Sequence, residues 1–169
     1  MRNNNIRKTA LAGILIAVAV VGSLFSFPVL GSRCAPVQHL VNILSAVLLG
    51  PWYSLAIAFI TSLIRVLTGL GSPLAFPGSM FGALLAGLLY KKLKKMPAAV
   101  VGEVLGTSIL GGLCAYPIAI LVMGQSAGEV AFYAYIIPFL ISTAGGAVLA
   151  SILLLALNKT GVIRKFKGE

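Results

Sequence analysis

Acidic side chains are almost missing from this chain: three among 169 residues, against thirteen lysines and arginines, one histidine and two cysteines. With so few carboxylates, one of them the terminal Glu169, neither a paired-carboxylate site nor a metal-binding cluster is expected. Cys34 and Cys114 stand alone, with none of the close pairing that marks zinc or redox sites. Both fall toward the same end of the chain's apolar runs, which leaves open a disulfide or two free thiols behaving as small hydrophobes. No phosphate-binding G-x-x-x-x-G-K-[ST] run occurs, so the chain cannot hydrolyse ATP by a loop of that kind. Gly78-Ser79-Met80-Phe81-Gly82 lacks the G-x-S-x-G spacing of a nucleophile elbow, which removes the obvious catalytic use of Ser79 with His39. No enzyme, metal or cofactor is expected. Charged residues of both signs make up only 9% of the sequence, too few to clothe a soluble domain of this length.

Apolar residues fill the space: 59% of the chain is hydrophobic and the mean hydropathy is +1.05. Long apolar runs recur, and about 17–25 such residues cross a hydrocarbon core of about 30 Å as a helix. An all-α integral membrane protein is therefore expected, one domain over residues 1–169 with about six spans. They run from Thr9 to Val29, Val37 to Leu49, Trp52 to Leu67, Phe76 to Tyr90, Pro97 to Val122 and Val130 to Leu157. The first run is too long for the apolar part of a signal peptide and ends at Phe27-Pro28 without a small-residue cleavage pattern, so it reads as a retained span. Gly50-Pro51 supplies the tight turn between the second and third spans.

The net charge of +10 does not point to a nucleic acid, because the basic residues are clumped between or beyond the apolar runs. Arg2, Arg7 and Lys8 form one clump, Lys91, Lys92, Lys94 and Lys95 a second, and Lys159, Arg164, Lys165 and Lys167 a third. This is the positive-inside pattern, with attraction to anionic headgroups as its by-product. It puts both termini in the cytoplasm of a multi-pass cell-membrane protein and every basic residue but Arg33 and Arg65 on that side. The outer loops are then 30–36, 68–75 and 124–129. The first two share a pattern of Gly-Ser, then alanine, then proline opening an inward helix. The third, Ser126-Ala127-Gly128-Glu129, reads as a capping box for the sixth span. Three helix N-termini with free N–H donors would gather on the outer face.

The polar knot Pro36-Val37-Gln38-His39-Leu40-Val41-Asn42 opens the second span and holds the lone histidine. His39, Asn42 and Ala46 share a helical face, and lipid would penalise polar groups there. Thr61, Arg65 and Thr68 share a face of the third span. Arg65 looks into the bundle, toward the outer boundary or at a partner, or snorkels to the headgroups. Glu103, Thr107, Gly111 and Cys114 line a face of the fifth span. Glu103 falls in the inner half, about 10 Å below the midplane at about 1.5 Å per residue, below the level expected for His39 and Arg65. A hydrogen bond to neighbouring helices is its expected role. Phe76, Tyr116, Tyr133 and Tyr135 lie toward the outer side and Trp52 at the inner end, where belts of aromatics are common. Together with Gln38, His39 and Asn42, the outer aromatics suit a small flat heterocycle with a polar tail. Gly13 and Ala17 on the first span, and Ser142, Gly146 and Ala150 on the sixth, form small-residue stripes for close packing, within the chain or onto another subunit.

The block PVQHLVNILSAVLLGPWY from Pro36, followed by LAFPGSMFGALLAGLLY from Leu74, closely resembles the ThiW family. These are substrate-binding (S) components of energy-coupling-factor (ECF) vitamin transporters, associated with the thiazole precursor of thiamine. The resemblance implies a six-helix S-component bundle and a ligand resembling hydroxyethylthiazole, with thiamine or another small vitamin as alternatives. It also implies a transmembrane coupling subunit and two cytoplasmic ATPases as partners. Gly13 and Ala17 occupy the place of that family's alanine-xxx-alanine coupling motif. The ligand would sit under the loop between spans one and two, which nominates Gln38, His39, Asn42, Phe76, Ser79, Tyr116 and Tyr135. A stand-alone small transporter is the alternative outside that class; it would need titratable groups near the midplane, and Glu103 comes nearest.

Overall fold

A computed structural model describes residues 2–128 and 130–163. Among them the chain forms six helical rods and one short hairpin. Helix α1 (Arg2–Gly22) runs into a single 3-10 turn (Ser23–Phe25). Strand β1 (Phe27–Val29) then pairs antiparallel with β2 (Ser32–Cys34), Pro28 opposite Arg33. The first span therefore stops short of Val29. Pro28 cannot donate to a helical ladder, and Leu30 and Gly31 take positive φ (45° and 76°), as two-residue hairpin turns require.

Helix α2 (Pro36–Leu48) and α3 (Pro51–Leu67) follow, joined by the expected turn, where Gly50 has φ 91° and Pro51 opens α3. Helix α4 (Ala75–Leu93) ends at a left-handed Lys94, and the fifth rod begins at Met96-Pro97. That rod is continuous from Met96 to Leu121: α5 (Met96–Leu105), a π-helical turn (Gly106–Gly111) and α6 (Gly112–Leu121). Helix α7 (Ile136–Lys159) completes the bundle. It starts six residues later than Val130, since 132–135 form turns. Pro138 falls in its first turn, where a missing N–H leaves no helical bond unmade. Ser126 caps no helix. Glu129 of that pattern, together with Arg164, Lys165, Lys167 and Glu169, lies outside the described residues, as does the side chain of Arg2.

Three rods are long and apolar enough to cross a bilayer unaided: Asn5–Phe25, Met96–Leu121 and Ile136–Lys159. The 13 residues of α2 reach only about 20 Å at about 1.5 Å each. Yet α2 is the centre of the bundle: no residue from Pro36 to Leu49 is exposed, and it packs against α7, α4, α3 and α1. A helix apolar on most sides belongs in the interior, and its few polar groups must then find protein partners. The hairpin closes one end of the bundle. The Lys91–Lys95 turn lies at the other end, beside the end of α7.

Glycine permits the close contact between α4 and the fifth rod. A Cβ at Gly106 would stand 2.6 Å from the Phe81 carbonyl oxygen, and one at Gly102 2.7 Å from the Ala86 Cα. Ser142, Gly146 and Ala150 on α7 are likewise buried, with Gly146 against Pro36 and His39 of α2. The α1 stripe behaves oppositely. Gly13 and Ala17 are exposed, and a Cβ at Gly13 would meet nothing within 4 Å. This stripe packs on nothing within the described residues.

Candidate functional site

Polar side chains from α2, α3, α4 and the fifth rod meet inside the bundle. The Ser45 and Ser54 hydroxyls lie 2.8 Å apart and 2.9 and 3.0 Å from the Asn42 carbonyl, so one donates to the carbonyl and the other to its neighbour or to the same carbonyl. One turn nearer the hairpin, the Gln38 amide donates to Ser62 at 3.2 Å, Ser62 and Ser79 lie 2.8 Å apart, and Ser79 donates to the Ala75 carbonyl. These two levels staple α2, α3 and α4 together, each hydroxyl partnered as burial demands.

Glu103 is the hub on the other side of α2. Its Oε1 accepts from His39 Nδ1 at 2.8 Å, from Asn42 Nδ2 at 2.9 Å and from Thr107 Oγ1 at 3.2 Å. Asn42 Nδ2 also donates to the Ser79 carbonyl at 3.2 Å. Both partners of that amide are acceptors, which fixes its nitrogen toward them. A carboxylate accepts, so His39 Nδ1 carries the proton and Nε2 is the nitrogen left over. The α5 helix brings Glu103 to the face of α2, and Gly82 on α4 makes the room, because a Cβ there would overlap Thr107 and the Glu103 carboxyl. Thr107 stands in the π-helical turn; such turns often re-aim side chains at functional sites. Glu103 and His39 thus touch, although residue counting along the spans sets them at different depths.

Above this network, under the hairpin, lies a cavity of ≈ 30 Å³. Gln38, His39, Ser79 and Thr107 form part of its wall, with Arg65 and Phe139. The hairpin is fastened over it. The Ala35 N–H donates to Ser142 Oγ at 2.8 Å, the Cys34 thiol donates to the Pro138 carbonyl at 3.2 Å, and Arg33 Nη1 reaches the Gly69 carbonyl at 3.2 Å. Cys34 and Cys114 are both free. Arg65 is 3% exposed and donates to Gln38 Oε1. It points into the bundle and does not snorkel. Thr61 is buried beside it, whereas Thr68 is exposed and bonds back to the Ile64 carbonyl. Among the described residues no salt bridge joins Arg65 to Glu103.

The seven nominated residues therefore fall into two groups. Gln38, His39 and Ser79 line the cavity; Asn42, fully buried, does not reach it and is bonded to Glu103 behind His39. Phe76, Tyr116 and Tyr135 do not line it. The Phe76 ring stacks at 5.6 Å against Phe59 on α3. The Tyr116 hydroxyl donates to the Ala127 carbonyl at 3.4 Å. Tyr135 donates to Gln125 Oε1 at 2.6 Å and stands behind Phe139, ring centroids 6.2 Å apart. Phe139, Ser142, Thr107 and Arg65 line the cavity without having been nominated. A polar face at Arg65 and at Glu103–Thr107 was visible in the sequence, but Phe139 carries no signal that separates it from lipid-facing phenylalanines. A second, larger groove of ≈ 680 Å³ at the lysine end, between Tyr90, Met96 and Leu154, holds none of the nominated residues.

The fold is thus a multi-pass helical membrane bundle with a small interior cavity under a hairpin at one end. The chain belongs to the ThiW family: the family's sequence model, described as thiamine-precursor transporter protein, matches residues 9–160. It is a membrane transporter protein of that family. No curated protein matches the chain.

Proposed function

We propose that the protein is the substrate-binding S component of an ECF-type transporter, capturing a thiazole resembling hydroxyethylthiazole at the outer face. Family membership supports a thiamine precursor as cargo. The cavity carries the assignment to this site: Gln38, His39 and Ser79 converge there beside the Phe139 ring, an apolar wall with few polar groups. With Nδ1 held by Glu103, His39 would accept the ligand's hydroxyl proton at Nε2, and Phe139 would wall the ring. The present volume of ≈ 30 Å³ is far below the about 300–1,000 Å³ of ligand pockets. Entry of a heterocycle would need the hairpin to lift, breaking its bonds to Ser142, Pro138 and Gly69.

Charge clumping supports an orientation with the hairpin outside and both termini in the cytoplasm. The missing phosphate-binding loop fits a chain that relies on two cytoplasmic ATPases and a transmembrane coupling subunit. The exposed Gly13–Ala17 face of α1 is the surface for that subunit, since small residues permit close helix approach. No catalytic step belongs to this reading.

Calorimetric titration of the purified protein with hydroxyethylthiazole tests it. Saturable binding is expected, weakened at least tenfold by His39→Ala and by Gln38→Ala. Absence of saturable binding, or indifference to both substitutions, refutes the ligand or the site respectively. Gly13→Leu should spare binding and prevent co-purification with the coupling subunit; an intact complex refutes the α1 interface.

A further inference from the structure

Two guanidinium groups stand at the same cavity with no carboxylate facing them. Arg65 and Arg33 both line it, one from α3 and one from the hairpin. Arg65 is 97% buried, by its 3% exposure, yet it is tied only to the neutral Gln38 oxygen, and its Nε has no partner. Glu103 is the one carboxylate among the described residues; it does not line the cavity, and its Oε1 accepts from His39, Asn42 and Thr107 and from neither guanidinium. The wall therefore holds a desolvated cation, and the lid a second, with no carboxylate in contact with either. Ser32 and Ser72 add hydroxyls beside them, and α4 directs its N-terminal, positive end at the same space through Leu74 and Ala75. An oxyanion would complete the set, since guanidinium groups pair with carboxylate and phosphate oxygens through parallel N–H donors.

We propose that the ligand carries an anionic group, a carboxylate or phosphate on its heterocycle, which pairs with Arg65 and is closed over by Arg33 as the hairpin seats. This rests on reading the cavity as the substrate site. It deepens that reading by dividing the cavity into a ring subsite at His39 and Phe139 and an anion subsite at Arg65. The hairpin then closes on charge as well as on shape, so an anionic ligand would hold the lid down more firmly than a neutral one.

The test titrates the full chain in detergent with hydroxyethylthiazole, its phosphate monoester, a thiazole carboxylate, phenyl phosphate and inorganic phosphate. At least one anionic thiazole is expected to bind tenfold or more tighter than the neutral alcohol, and the stronger of the two identifies the group. Arg65→Gln should shrink that ratio below about threefold, and Arg65→Lys should keep part of it. Arg33→Gln, on the exposed lid, should shrink the ratio without touching the bundle interior, which covers the case of an Arg65 variant that does not fold. Equal or tighter binding of the neutral alcohol overturns the anion subsite and leaves the proposed function standing. Equal binding of phenyl phosphate and the thiazole phosphate overturns the thiazole assignment and leaves the subsite standing. Inorganic phosphate as tight as any thiazole reveals a free-anion site and overturns the proposal, and a panel that does not bind at all overturns both readings.

Discussion

Replacing Glu103 by alanine should be the most damaging single truncation in the bundle. Its Oε1 receives three hydrogen bonds, from His39, Asn42 and Thr107. Without the carboxyl group, Asn42 keeps only the Ser79 carbonyl, His39 Nδ1–H loses its partner, and Thr107 can turn back to its own helix. Two buried donors left short cost about 1–3 kcal/mol each, about 2–6 kcal/mol together. At about 2–4 °C per kcal/mol for a chain of this size, the midpoint should fall by about 4–24 °C. Glu103→Gln keeps one acceptor oxygen in place and should lose about 1 kcal/mol, the scale of one net hydrogen bond. The assay follows the buried Cys34 thiol becoming reactive to a fluorogenic maleimide on heating, in a Cys114→Ser background. A shift under 2 °C for Glu103→Ala, or the same shift for both variants, would refute the hub assigned to this carboxylate.

Other outcomes follow from the packing. Gly102→Leu should prevent folding or lower the midpoint strongly, because its Cβ would stand 2.7 Å from the α4 backbone, whereas Gly13→Leu should leave the midpoint within about 0.5 kcal/mol, the usual range for an exposed position. Equal effects at the two glycines in a thermal melt would contradict the α4–α5 contact. Ser142→Ala strips the partner from the buried Ala35 N–H and should destabilise by about 1–3 kcal/mol while speeding hydrogen exchange in the hairpin; unchanged exchange there would show that this bond does not hold the hairpin. Burial pushes the Cys34 thiol above its ordinary value, with the Ser142 bond pulling the other way. Its neutral form is therefore favoured in the fold, so maleimide labelling at pH 8 should be much slower than in the denatured chain. The stability tied to this thiol should be present below its ordinary titration range and fall as pH rises through the folded one. Labelling of Cys34 at the denatured-chain rate in the folded protein would overturn its burial.

The rods were largely legible because a bilayer imposes length and hydropathy on each span independently, and Gly50-Pro51 marks its turn by local chemistry alone. Where the boundary depended on something distant, reading along the chain failed. Val29 belongs to a hairpin because Ser32–Cys34 pairs with it, and Val130 precedes α7 by a full turn of irregular chain. Periodicity put His39 and Asn42 on one face, yet it could not rotate that face toward Glu103. Equal spacing by residue count assumes that every span crosses at the same depth. The short α2, roofed by the hairpin, breaks that assumption and brings His39 to the level of Glu103.

By itself the sequence determined that this is a multi-pass helical membrane protein, poor in carboxylates and without a phosphate-binding loop of the G-x-x-x-x-G-K-[ST] kind. Those properties follow from residue counts and local patterns that hold in any arrangement of the rods. The tertiary structure alone decided which polar residues share a cavity. It sent Tyr116 and Tyr135 to their own partners, turned Arg65 inward, exposed Gly13 and Ala17, and joined His39 to Glu103. Helix rotation and depth are set by contacts between segments far apart in the chain, above all by glycines that let α4 approach the fifth rod, and no single segment carries that information.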